Sequence, residues 1–219
     1  MLVARLQRTR PGGWGVPTNL CLTPSGRQRR SGTGYPAAME APRPPLLPFV
    51  TVAREPLLDA RVFRVERLRR RSGRTGREHE YFHIAAGSWV NVVALTKAGE
   101  LVLVRQERHG VEATTLEIPG GMVDEGEDPA QAALRELSEE TGYVGRVAEP
   151  LGWVHPNPAL QANRCYTFLV RDVEAGPAHP DEEEDIEVST VPLAHARELV
   201  RRGEITHALV VAALYLLDA

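Results

Sequence analysis

The amino-acid sequence predicts an α/β fold with a mixed sheet. Three observations carry this expectation: strand-like runs rich in β-branched residues recur along the middle of the chain, one sharply bounded helix interrupts them, and two further helices close the C-terminus. The 219 residues suffice for one domain with a substantial core, plus an extension. A hydrophobic content of 42% with 25% charged residues is that of an ordinary globular protein. The net charge of −3 gives no bulk electrostatic reason to expect nucleic acid or membrane as a partner. The longest apolar run, ALVVAALYLL at 208–217, is about half the roughly 20 residues a membrane span needs and reads as a buried helix. Cys21 and Cys165 form neither a zinc spacing nor a disulfide framework, which fits a cytoplasmic protein.

Charge divides the chain. Residues 1–38 hold six arginines and no acidic residue, leaving 20 basic against 29 acidic residues in the remainder, a net of −9. The first segment is rich in Gly, Pro, Ser and Thr and shows no periodicity, so residues 1–45 are expected to be disordered. An Arg-rich, acid-poor leader also suits a transit peptide. A third reading is that translation starts at Met39 and the upstream part is a start-site artefact. Residues 46–219 are expected to form the folded domain.

The elements follow in order. ARVFRVERLRRR (60–71) reads as a strand, SGRTG as a turn and EYFHIAA (80–86) as its hairpin partner. SWVNVVALT (88–96) is a buried strand, and Lys97-Ala98-Gly99-Glu100 turns into the strand LVLVRQ (101–106). TLEIP (115–119) is a short strand ending at Pro119-Gly120-Gly121. Asp128 is a helix cap, Pro129 suits a first turn, Gln131 stands at the reciprocal capping-box position, and Gly142 is placed for a left-handed stop. Ala130, Ala133, Leu134 and Leu137 mark the inward face of that helix. GRVAEPLGWVHP (145–156), RCYTFLVRDV (164–173) and DIEVSTVPL (185–193) read as strands. LAHARELVRR is a helix stopped by Gly203, and Thr206 is expected to cap the last helix.

One feature of the marked helix works against stability. RELSEETG (135–142) places Glu136 three and four residues before Glu139 and Glu140, where side chains are neighbours. At an effective dielectric of about 20, two unit charges about 6 Å apart repel by roughly 3 kcal/mol, and open solvent screens much of this. A hard divalent cation removes the repulsion. Mg²⁺ takes oxygen ligands and bridges to phosphates, and loop carbonyls around Gly120 and Gly121 can add to the set.

Residues 121–143, GMVDEGEDPAQAALRELSEETGY, resemble the Nudix box. Gly121, Glu127, Arg135, Glu136, Leu137, Glu139, Glu140 and Gly142 match, and Tyr143 stands where the family has an aliphatic packing residue. The resemblance implies an α/β/α sandwich hydrolase that cleaves a nucleoside diphosphate linked to another group, using Mg²⁺ or Mn²⁺. LVRQERHG, LEIPGG, Pro158 and GEITHALVVAAL are further similar to the ADP-ribose and nucleoside-diphosphate-sugar pyrophosphatases, extending the likeness over roughly residues 50–219.

The resemblance implies roles. Glu136 and Glu140 are expected metal ligands with the Gly120 carbonyl; Glu139 is a ligand or a proton acceptor. Glu127 stands behind them, and Arg135 orients the carboxylates by ion pairing. In the resembling subgroup a later glutamate activates the water, and DEEED (181–185) offers Glu182, Glu183 or Glu184, with Glu183 the chosen candidate; a solvated acidic loop is the plain alternative. Arg105 and Arg108 suit phosphate recognition, although Arg105 at a strand end can equally face water. Glu117 and Pro158 are expected to touch substrate. Trp89 and Trp153 are base-stacking platforms or core residues, and His155, His179, His195 and His207 read as structural or surface residues. The subgroup likeness also implies a homodimer in which residues 46–86 pack against the partner. Competing expectations are a Nudix hydrolase of GDP-mannose, a dinucleoside polyphosphate or an NAD-like dinucleotide, and a non-catalytic nucleotide-binding module.

Overall fold

The computed structural model describes residues 46–176 and 185–218. The described residues contain two sheets. β1 (Phe49–Asp59), β2 (Phe63–Ser72) and β3 (Glu78–Ala86) form an antiparallel three-stranded sheet. The expected hairpin is present, with Arg71 opposite Glu78 and Phe63 opposite Ala86. β1 is a strand that the sequence reading passed over. Pro56 lies inside it, and it is tolerated because, among the described residues, β1 pairs only with β2, and it shifts register between Pro56 and Leu58.

The larger sheet holds β4 (Trp89–Thr96), β5 (Glu100–Arg108), β6 (Ala113–Glu117), β7 (Tyr143–Val144), β8 (Glu149–Val154), β9 (Cys165–Ala175) and β10 (Glu187–Pro192). Its main path runs β10-β5-β4-β9-β7, with β6 beside β5 and β8 beside β9. β4 and β9 are parallel, and the other pairs are antiparallel, so the sheet is mixed. The helix α1 (Pro129–Thr141) packs on one face against Val90, Val92, Val102, Phe168 and Val170. On the opposite face α2 (Leu193–Arg201) and α3 (Ala208–Leu217) cover Val93, Leu95, Leu101, Leu103 and Leu169. Strand alternation produces this directly: Phe168 and Val170 point one way and Leu169 the other. The result is the expected α/β/α sandwich.

Helix ends are instructive. Asp128 accepts from the backbone N–H groups of Ala130 and Gln131, and Gly142 adopts φ 71°, returning its N–H to the Ser138 carbonyl. α3 differs from expectation in two ways. Its N-cap is His207, not Thr206, and no side chain caps it. Only one side is buried, through Val210, Ala213 and Leu214, while Tyr215 is 74% exposed.

β4 and β5 pair at only one position, Leu95 with Leu101, and then diverge. The gap is closed by the segment after β6: Val90 N–H donates to the Gly121 carbonyl at 2.9 Å and Val92 N–H to the Pro119 carbonyl at 2.8 Å. Gly120 therefore lies flat against β4. A Cβ there would come within 2.2 Å of the Val90 carbonyl oxygen, which leaves room only for glycine. This wedge brings the start of the glutamate loop into the centre of the sheet.

Candidate active site

The wedge and α1 meet through carboxylates. Glu140, 5% exposed, accepts from the Gly120 N–H at 2.9 Å. Glu136 lies over Gly121 so closely that a Cβ on that glycine would stand 2.4 Å from the carboxylate carbon. Both residues thus project from α1 toward the Gly-Gly segment, one turn apart on the helix. Glu139 is the most open of the three.

Arg135 organises the outer part. It donates to Glu127 through Nε and Nη2, each at 3.0 Å, and to the Met122 carbonyl through Nη2 at 3.0 Å. Its Nη1 donates to Glu136 and to Glu139, each at 2.9 Å. Glu127 also accepts from the Asp124 N–H, closing the loop on itself. The Arg135 guanidinium, with that backbone N–H behind it, holds the Glu127 carboxyl below its ordinary range. The same pairing, led by Glu127, raises the Arg135 pKa further. Arg135 is thus the charge that offsets the acidic crowding within the protein itself.

Among the described residues, no group of three or more His, Cys, Asp and Glu side chains is poised around a common point as metal ligands. The guanidinium contacts explain this physically, since Nη1 draws Glu136 and Glu139 together onto itself. The donor set still suits a hard cation. It is all oxygen, and Gly121 leaves a hollow at the Glu136 carboxylate that any side chain would fill.

Beside this cluster opens a cavity of about 1040 Å³. Gly120, Gly121 and Met122 form the wall nearest the glutamates, and Trp89, Arg108 and Glu117 also line it. Trp89 is half-buried and bridges to Met122, so it belongs to the cavity rather than to the closed core. Arg108 holds Glu117 by two parallel hydrogen bonds of 2.9 Å, and Thr115 donates to the same carboxylate at 2.6 Å. Burial pushes the Glu117 carboxyl upward, but Arg108, His207 and Thr115 outweigh it and hold the group well below the usual carboxylate range.

Three expected site positions lie elsewhere, and a fourth falls outside the described residues. Arg105 does not line the cavity; it is half-exposed and pairs with Glu187 of β10 at 3.6 Å. The reason is parity: Arg105 and Arg108 are three residues apart on one strand, so they face opposite sides. Pro158 sits in an exposed turn after β8 and is also absent from the cavity wall. Trp153 lies under the Arg164 guanidinium, 4.2 Å from its ring centre, and takes no part in the cavity either. Glu183, with Glu182 and Glu184, lies outside the described residues. One residue that the sequence reading set aside does enter: His207 lines the cavity and touches Glu117. Nothing in the local pattern singles it out, because its partner is 90 positions away.

The NUDIX domain profile matches residues 87–214, more than half of the chain. The protein is a member of the Nudix family. It is 31% identical over 159 residues to the ADP-ribose pyrophosphatase of Bacillus subtilis, covering 71% of this chain and 84% of that one. It is 29% identical over 172 residues to the methanol dehydrogenase activator of Bacillus methanolicus, covering 77% and 91% respectively. The crystal structure of an ADP compounds hydrolase superposes with a TM-score of 0.72 at 25% identity, covering 80% of this chain and 95% of that one. Nudix membership makes the chain one of an enzyme family, and pyrophosphohydrolysis of nucleotide-derived compounds is the activity this supports. Mg²⁺ is in common use across that family. No helix among the described residues is long and apolar enough to cross a membrane.

Proposed function

We propose that this Nudix protein hydrolyses the pyrophosphate bond of ADP-ribose or a related nucleoside diphosphate sugar, giving a nucleoside monophosphate and a sugar phosphate. The observation that carries this reading is the contiguity of the carboxylate cluster and the cavity: Gly120 and Gly121 contact Glu140 and Glu136 and also line the cavity. A substrate seated there has its diphosphate within reach of the acidic helix face and its base or sugar beside Trp89 and Arg108.

In this reading Glu136 and Glu140, with the Gly120 carbonyl, hold Mg²⁺ or Mn²⁺, and Glu139 is a further ligand or the proton acceptor. A metal held there would supply neutralisation of phosphate charge and a lowered pKa for the attacking water. Arg135 keeps Glu136 and Glu139 oriented, and Glu127 keeps Arg135 in place. Arg108 offers the cavity a guanidinium that is 43% exposed even while paired with Glu117.

The likeness to an ADP-ribose pyrophosphatase and to an ADP compounds hydrolase supports the substrate class. An NAD-like dinucleotide stays in the test as a competing expectation. Purified protein with Mg²⁺ should release AMP and ribose 5-phosphate from ADP-ribose in preference to GDP-mannose, NADH or a dinucleoside polyphosphate. Glu136→Gln should lower turnover by about 100-fold or more. Unchanged turnover in that variant would remove the metal assignment, and nucleotide binding without cleavage by the wild type would favour a sensor module.

A further inference from the structure

Arg108, Thr115 and Glu117 share one face of the β5–β6 pair, and His207 meets them from the start of α3. Oε1 of Glu117 accepts from Thr115 and from Arg108 Nε, and Oε2 accepts from Arg108 Nη2 at 2.9 Å. The same Oε2 lies 2.8 Å from His207 Nδ1. An ionised carboxylate only accepts, so the hydrogen of that contact sits on Nδ1. A neutral imidazole protonated at Nδ1 carries its lone pair on Nε2, at the other edge of the ring. Glu117 is almost completely buried, whereas the His207 side chain is 37% exposed and lines the cavity. The ring does not cap its own helix, so its placement serves the Glu117 contact.

We infer that His207 is a specificity-determining residue: Glu117 fixes its tautomer, and its bare Nε2 accepts a hydrogen bond from an O–H or N–H donor of the nucleoside diphosphate substrate, a sugar hydroxyl or the base amino group. This rests on the substrate reading above. Arg108 supplies only donors, and the Asn91 amide nitrogen is committed to the Leu209 carbonyl at 3.0 Å. Sugar hydroxyls and the adenine amino group are donors, which an uncharged acceptor beside Arg108 is suited to meet. A site built to accept from a substrate donor discriminates strongly against analogues without it. Glu117, assigned from the sequence to substrate contact, then acts through His207 and Arg108 as a positioning residue.

The test exploits amide geometry. Asparagine at 207 keeps a donor near the Nδ1 position and nothing near Nε2, whereas glutamine brings an oxygen near Nε2. His207→Asn should weaken ADP-ribose binding, titrated calorimetrically in EDTA where no turnover occurs, by about five- to ten-fold. It should raise KM by a similar factor with kcat within about two-fold. His207→Gln should recover most of the loss, which a purely structural role predicts for asparagine instead. IDP-ribose separates the donors: a persistent His207 effect assigns a sugar hydroxyl, and a vanished one the adenine amino group. Equal binding by wild type and His207→Asn overturns the inference, as does glutamine doing no better than asparagine, or a ¹⁵N imidazole spectrum with the proton on Nε2. Failure of the substrate reading looks different: the wild type then cleaves nothing in the nucleotide panel, while the ¹⁵N imidazole spectrum, which needs no ligand, still decides the His207 tautomer.

Discussion

Arg135 reaches back eight residues and grips Glu127 with two hydrogen bonds of 3.0 Å, while its remaining nitrogen spans Glu136 and Glu139 at 2.9 Å each. One guanidinium thereby ties the loop before α1 to the carboxylates on it. Arg135→Lys retains the charge but loses the fork, and lysine cannot make two parallel bonds and two outward ones. Turnover should fall by about 10- to 100-fold, nearly as far as in Arg135→Ala. Steady-state kinetics on both variants check this, and full activity in the lysine variant would refute the orienting role.

The two adjacent glycines should fail in different ways. A Cβ at Gly120 meets backbone, the Val90 carbonyl oxygen at 2.2 Å, and backbone cannot step aside. Gly120→Ala should cost about 1–3 kcal/mol, read as a melting temperature lowered by about 2–4 °C per kcal/mol. The nearest atoms a Cβ at Gly121 meets are at the end of a flexible side chain, the Glu136 carboxylate. Gly121→Ala should therefore keep its melting temperature and lose activity by about 100-fold or more.

Acid should weaken the fold through Glu117. Its carboxyl is held below the unfolded value of about 4.3. The stabilisation is therefore complete above that value and is lost as pH falls toward the lower native one. Glu117→Gln removes this dependence. Urea midpoints of wild type and variant should differ most near pH 7 and converge progressively below about pH 4. A constant gap across that range would show that the carboxylate's charge does not matter to stability.

The three-stranded sheet should be the surface that pairs two copies of the chain. Val50, Leu57, Leu58, Tyr81 and Phe82 are all exposed there, a concentration of apolar side chains unusual for a free surface. Sedimentation should show a homodimer, and Leu58→Arg with Phe82→Glu should yield a monomer. A wild-type monomer at micromolar concentration would remove this expectation.

Much of the fold was legible because its signals are local. The cap at Asp128, the stop at Gly142 and the β-branched run of β4 each lie within a few residues of the structure they set. The carboxylates of α1 were legible for the same reason, since their spacing alone makes them neighbours. What escaped was non-local or masked by a contrary residue. Pro56 hid β1, which among the described residues pairs with β2 alone. Arg105 and Arg108 both offered a phosphate contact, with water the alternative for Arg105, and strand parity separates them. His207 stood among histidines without ligand spacing, and its meaning comes from a carboxylate 90 residues earlier in the chain.

The wedge of Pro119-Gly120-Gly121 has a further consequence. Because the amide hydrogens of Val90 and Val92 are held by its carbonyls, their exchange with deuterated solvent clocks how often that segment lifts from the sheet. Loading the acidic face should slow those two amides together, which makes a pair of core valines an internal reporter on occupancy next door.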